Sequence, residues 1–220
     1  MSTSTCRRVV QIAAAVLLSC QISVFGQELQ PIQLLPPQLD SGKLLMQALN
    51  ERKTSRAFSS EKLSLQQLSN LLWAAFGINR PESGKRTAPS AMNWQETDIY
   101  VAMQEGLFLY DAKNNMLQPV LAQDIRGATG MQDFVQVAPV SLVYVADMAK
   151  TGNRASEEDK ALWSAAATGF IAQNVYLYCA SEGLATVIRG MVDKSSLAEV
   201  LGLRPEQKIM LSQTVGYPKK

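Results

Sequence analysis

The chain is 220 residues long, 47% hydrophobic and 18% charged, with 21 basic and 19 acidic residues and a formal charge of +2. That apolar fraction suffices for a buried core and excludes a disordered or low-complexity chain. Histidine is absent, which excludes every Ser/His/Asp or Cys/His nucleophile system, histidine-ligated zinc and the HExxH metalloproteases.

Met1 to Arg8 carry Arg7 and Arg8 with no acid, and Val9 to Ser19 form an apolar run too short to span a membrane but suited to a signal-peptide core. Residues 1–26 therefore read as an export signal, placing the mature protein in the periplasm or outside the cell with no stable membrane span. Two processing sites stand open. Val24-Phe25-Gly26 puts a small residue where a signal peptidase cuts, and this is the preferred reading; Leu17-Leu18-Ser19-Cys20 resembles a lipobox and would leave a lipid anchor on Cys20. The Arg7-Arg8 pair also raises a twin-arginine route, which Val10 fits and Gln11 does not. Loss of the segment removes two arginines and no acid, leaving 19 residues of each sign. Nucleic acid and anionic membrane then have no electrostatic basis as partners. Cys6 and Cys20 leave as well, so Cys179 has no intramolecular partner, which excludes a disulfide scaffold and reads as a buried, inert thiol.

Residues 27–40, with three prolines, read as an extended leader packed along the surface of a single domain at 41–220. Asp40 or Ser41 is the expected cap of a first helix through Asn50 that buries Leu44, Leu45, Ala48 and Leu49. Ser64 with Gln67 forms a capping box, and Leu65, Leu68, Leu71, Leu72 and Ala75 make an apolar stripe ending at Gly77. From Asp98 the period changes to that of strands. A hairpin is expected from Asp98–Met103 and Leu107–Tyr110 around a Glu105-Gly106 turn, followed by a strand at Met116–Val120. Pro139–Ala146 reads as a central buried strand. Ser156 and three following acids start a long helix to about Ser181, closed by Gly183 and apolar around its circumference. Ala185–Ile188 and Lys208–Gly216 bracket a short helix at Ser195–Leu201. This order predicts an α+β fold with a mostly antiparallel central sheet flanked by helices.

Three stretches could carry chemistry. Arg52-Lys53-Thr54-Ser55-Arg56 puts three cations and two hydroxyls in five residues, a set able to hold a phosphate by charge-assisted bonds; Arg52 and Arg56 share a face if the helix persists. The alternative is a basic helix C-terminus acting on the macrodipole. In Arg86–Gln95, Asn93 and Gln95 can donate and accept in the plane of a heteroaromatic ring, unless the segment is an ordinary turn into a strand. Gly183 to Met191 is a strand running into Gly190, which either lets backbone N–H groups face a ligand closely or is a tight strand exit. A Walker A reading of Gly84-Lys85 fails, because Asn79 stands at the first glycine position and Arg86 follows the lysine.

Taken in order, these stretches resemble the flavin-dependent nitroreductase family from about Gly42 to Pro218. The Arg52–Phe58 run resembles the family's Arg-Arg-Ser-x-Arg-x-Phe signature. Leu71–Asn79 followed by Arg86-Thr87-Ala88-Pro89-Ser90-Ala91 is similar to the azoline-oxidising branch, and Ala172-Gln173-Asn174 to the fold's long central helix. The resemblance implies a nitroreductase-like fold, an obligate homodimer and FMN as cofactor. It implies FMN contacts for Arg52, Lys53, Thr54 and Arg56 at the phosphate and ribityl chain, Ser90, Asn93 and Gln95 at the ring and ribityl hydroxyls, and the Arg189-Gly190 backbone at N5. No catalytic side chain and no metal are implied, because flavin N5 carries hydride in a ping-pong cycle. NADH or NADPH is the implied electron donor, and the implied acceptor is a small electron-poor molecule such as a nitroaromatic, quinone or activated alkene. A dehydrogenase or oxidase of a heterocycle or C–N bond, or a non-catalytic envelope binding module, are the alternatives on the same fold. The chain departs from the pattern at its end, where only Lys219 and Lys220 follow Pro218, so phosphate binding rests more on Arg52 and Arg56. Leu121–Phe134 is the expected substrate loop, with Trp94, Met131 and Phe134 either facing the ring or packed in the core.

Overall fold

The computed structural model describes residues 28–220; the expected export signal, its two candidate processing sites and the Arg7-Arg8 pair lie outside the described residues. Seven strands form one sheet, in the order β1 (residues 32–33), β6 (116–121), β5 (106–111), β4 (97–103), β7 (140–147), β9 (207–216) and β8 (185–189), each neighbouring pair antiparallel. In chain order, β1 is Ile32–Gln33, α1 Leu45–Glu51 and α2 Leu65–Phe76, and a separate small hairpin joins β2, Ile78–Arg80, to β3, Lys85–Arg86. The central meander is β4 (Thr97–Met103), β5 (Gly106–Asp111) and β6 (Met116–Leu121). A single turn, α3 (Phe134–Val137), precedes β7 (Val140–Asp147); α4 (Glu157–Glu182), β8 (Ala185–Arg189), α5 (Lys194–Leu201) and β9 (Gln207–Gly216) complete the chain.

The sheet carries helices on both faces. Ile99, Val101, Leu142 and Tyr144 meet Leu68, Leu71 and Leu72 of α2 and Ile171, Val175 and Cys179 of α4 on one side. On the other, Tyr100, Ala102, Val143 and Val145 pack on Leu197 and Leu201 of α5. β7 is buried at all eight residues, as its largely apolar run suits a strand covered on both faces. A chain of buried polar contacts ties the layers: Tyr144 Oη donates to Gln213 Oε1 at 2.6 Å, and Gln213 Nε2 donates to Thr186 Oγ1 at 3.1 Å.

Several expectations are met closely. The Ser64–Gln67 capping box is complete in both directions, and Gly183 closes α4 in the left-handed conformation with φ 71°. The hairpin forms one residue earlier than expected: Gln104 and Glu105 make the turn, and Gly106 is already paired with Met103. The first helix differs more. It starts at Leu45 with no side-chain cap, and only Ala48 is buried, while Leu44, Leu45 and Leu49 face outward, Leu45 at 62% exposure. Leu65 of the α2 stripe is likewise exposed.

The long helix is informative about why its stripe was hidden. Ser164, Ala167, Thr168, Ile171, Ala172, Val175 and Cys179 form one buried line at helical spacing. Two of its members are polar, with Thr168 Oγ1 donating to the Ser164 carbonyl at 2.9 Å, whereas apolar Leu162 and Phe170 point outward. Hydrophobicity alone therefore shows no stripe. The leader is fastened: Leu34 is buried, the Leu35 N–H donates to Ser69 Oγ, and β1 adds an edge strand beside β6.

Candidate functional site

The helix α1 ends at Glu51, so Arg52 is its cap and residues 52–57 run in irregular backbone. The condition under which Arg52 and Arg56 would share a helical face is therefore not met, because no helix persists to align them. Instead the segment is laid along β8. The Ser55 N–H donates to the Thr186 carbonyl at 3.0 Å, and Thr54 Oγ1 lies 3.0 Å from Tyr176 Oη. Tyr176 also accepts from the Ile188 N–H at 3.1 Å and carries the Arg52 guanidinium 5.2 Å from its ring centroid. One tyrosine of α4 thus joins the cationic segment to the strand.

Two clefts flank this segment. One, of about 660 Å³, is lined by Arg52, Lys53, Ser55, Tyr176, Thr186 and Lys219 among others. Lys219 is placed there by a Phe58–Pro218 bridge and by its N–H, which donates to the Ala57 carbonyl. The other, of about 190 Å³, is lined by Arg56, Gln132, Phe134, Ile188, Arg189 and Gly190. Among the described residues, Arg52, Lys53 and Arg56 pair with no carboxylate, and the acid of the larger cleft, Glu51, is joined to Lys43. The set is strongly cationic where it is accessible.

Arg189 departs from its expected role, in which only its backbone matters. Its side chain is 5% exposed and turns into the protein, donating to the Thr129 carbonyl at 2.8 Å and to Thr214 Oγ1 at 2.7 Å, 5.9 Å from the Phe134 ring. Among the described residues no acid pairs with it, and burial lowers its pKa to about 10. Its Nε and the Oε1 of Gln132 are buried without a hydrogen-bond partner. Gly130 makes the placement feasible, since a Cβ there would come within 1.6 Å of Arg189 Nη1.

Ser90, Asn93 and Gln95 form a separate loop that lines neither cleft. Met92, Asn93 and Gln95 adopt left-handed backbone at φ 50°, 55° and 49°, each costing about 1 kcal/mol or more. The Gln95 N–H donates to Ser90 Oγ at 2.9 Å. Its side-chain amide is engaged inside the loop rather than turned outward: Oε1 accepts from Arg86 Nε at 2.8 Å, and Nε2 donates to the Gly84 carbonyl and to Asn93 Oδ1. Trp94 packs on Trp163 with centroids 5.6 Å apart, and Phe134 on Phe58 at 5.5 Å, so both stand in packing positions, while Met131 is 70% exposed. Tyr176 is the residue that sequence reasoning passed over, because it sits on an apolar helix, while Arg86 opened the second candidate stretch without a role of its own. Cys179 is fully buried, and burial raises its pKa, as expected of an inert thiol.

The donor set fits a phosphorylated heteroaromatic ligand: free cations and a hydroxyl at one cleft, and unpaired polar atoms walling the other. Comparison with known proteins gives the same direction. The model of the nitroreductase family matches residues 49–217. A curated relative described as a candidate nitroreductase of Methanocaldococcus jannaschii is 29% identical over 178 residues, 76% of this chain and 88% of the relative. The crystal structure of a candidate nitroreductase from Ralstonia eutropha JMP134 is 42% identical with a TM-score of 0.84, covering 89% of this chain and 92% of that one. A candidate nitroreductase from Desulfovibrio desulfuricans, solved in complex with FMN, shares the fold at 21% identity and a TM-score of 0.60, over 82% of this chain and 89% of that one. The chain belongs to the nitroreductase family, a family of FMN-dependent oxidoreductases.

Proposed function

We propose that the protein is an exported FMN-dependent oxidoreductase working by a ping-pong cycle, with a small electron-poor acceptor such as a nitroaromatic, quinone or activated alkene. The observation that carries this reading is the row of unpaired cations, Arg52, Lys53 and Arg56, set by Tyr176 and Thr186 along β8 between two clefts. Bound there, FMN would supply two-electron redox chemistry between a reductant such as NADH or NADPH and the acceptor. Arg52 and Lys53 in the larger cleft, with Arg56 in the smaller, are the cations that would reach its phosphate, and Thr54, bonded to Tyr176, is the hydroxyl beside them for the ribityl chain. Arg189 keeps an uncompensated positive charge in the wall of the smaller cleft, which would stabilise negative charge on a reduced ring bound there. No side chain need act as acid or base, in keeping with the missing histidine.

A second copy of the chain completes the site. Ser90 and Asn93 stand on a loop apart from both clefts, so they reach a ligand there only across a subunit boundary. Leu44, Leu45, Met46, Leu162 and Phe170 present exposed apolar surface on α1 and α4, suited to burial between two copies. Export rests on the Arg7-Arg8 and Val9–Ser19 pattern, with anchoring through Cys20 as the lesser alternative. The test is an absorbance spectrum of the purified protein, followed by denaturation to release the chromophore. About one FMN per chain, weakened by Arg52→Ala or Arg56→Ala, supports the reading. A colourless protein that cannot be reconstituted with FMN refutes it and favours an envelope binding module.

A further inference from the structure

The loop that carries Asn93 contains a relay whose polarity is fixed by chemistry. Arg86 has donors only, and the Gly84 carbonyl accepts only. The Gln95 amide lies between them, so its oxygen must face Arg86 Nε, at 2.8 Å, and its nitrogen the carbonyl, at 3.0 Å. That same nitrogen is 3.2 Å from one terminal atom of Asn93, which must then be Oδ1. Arg86 is itself immobilised. It donates to the Phe76 carbonyl at 2.9 Å and lies 4.4 Å from the Phe76 ring centroid, and no carboxylate pairs with it among the described residues. The amide of exposed Asn93 is thereby turned with its Nδ2 hydrogens outward.

We propose that Arg86 and Gln95 are positioning residues that lock Asn93 as a hydrogen-bond donor, so that the group it recognises is an acceptor on the rim of a heteroaromatic ring. The assignment rests on the FMN reading above for the identity of that ring, not for the relay itself. It explains why three consecutive-turn residues tolerate left-handed backbone: Met92, Asn93 and Gln95 bring the two amides within reach of each other, and the Arg86 contacts offset the strain. A loop that only linked α2 to β4 would need neither the strain nor a half-buried guanidinium.

Two substitutions reverse the relay at different points. Gln95→Glu keeps an acceptor for Arg86 but loses both donors, so the new carboxylate draws the Asn93 N–H groups inward. Asn93→Asp still accepts from Gln95 Nε2 but has nothing to donate outward. FMN is titrated into the flavin-stripped full chain and followed by flavin fluorescence, with thermal unfolding measured in parallel. Each variant is expected to weaken FMN binding about tenfold, the double variant no more than either, with the apoprotein melting temperature little changed. Wild-type affinity in Gln95→Glu overturns the proposal, as does full additivity. The Gln95 side-chain amide protons give a readout without flavin. In the apoprotein they are expected to be protected from exchange, and to lose protection in Arg86→Met; unprotected protons in the wild type overturn the relay. Absence of any FMN binding by the wild type, with those protons protected, removes the flavin reading and leaves the relay standing.

Discussion

Gly130→Ala isolates the buried arginine. The backbone at Gly130 is extended, with φ 178°, so alanine brings no conformational strain and the whole effect is contact. The added methyl would lie 1.6 Å from Arg189 Nη1 and 2.9 Å from its Cζ. The guanidinium must leave, although it is the far end of a flexible side chain, and it loses its bonds to the Thr129 carbonyl and Thr214 Oγ1. Two hydrogen bonds from a charged donor are together worth roughly 3–5 kcal/mol. The assay is a double-mutant cycle read by urea unfolding. Gly130→Ala should cost roughly 3–5 kcal/mol in the wild type and under about 1 kcal/mol in an Arg189→Ala background, where the nearest remaining atom is Gln132 Oε1 at 3.1 Å. Equal costs in both backgrounds would refute the view that Gly130 exists to admit Arg189.

Three further outcomes are expected. Ser64→Ala removes the cap of α2 and should lower the unfolding free energy by about 1 kcal/mol, visible as a shifted urea midpoint without a changed slope. Tyr176→Phe leaves the Ile188 N–H and Thr54 without their shared partner; roughly 1–2 kcal/mol of stability should be lost, and isothermal titration should show weaker FMN binding. Burial raises the Tyr110 pKa from 10.0 to about 12 in the fold, so the unfolded chain releases this proton first and stability falls as pH rises between those values. Urea midpoints measured above pH 10 should fall less steeply in Tyr110→Phe, and an identical slope would refute the assignment.

Local signals in the sequence determined most of the elements. The capping box at Ser64, the β-rich runs of β4 and β5 around their turn, the largely apolar run of β7 and the Gly183 stop of α4 each act within a few residues, so each is legible along the chain. The cationic run at 52–56 was legible in the same way, because charge and hydroxyl density need no tertiary context. What the tertiary structure decided is how those groups are used. The end of α1 at Glu51, rather than a helix through Arg56, depends on the Ser55 bond to β8, a strand more than a hundred residues later. The outward leucines of α1 and the part-polar buried stripe of α4 depend on which side faces the sheet, which hydrophobicity cannot report when serine and threonine lie inside and phenylalanine outside. Arg189 and Gln95 were singled out by residue type along the chain, but their partners, Thr129 and Thr214 for one and Arg86 and Gly84 for the other, come together only by folding. A hydrogen bond has direction as well as distance, and the sequence carries neither until the backbone fixes both.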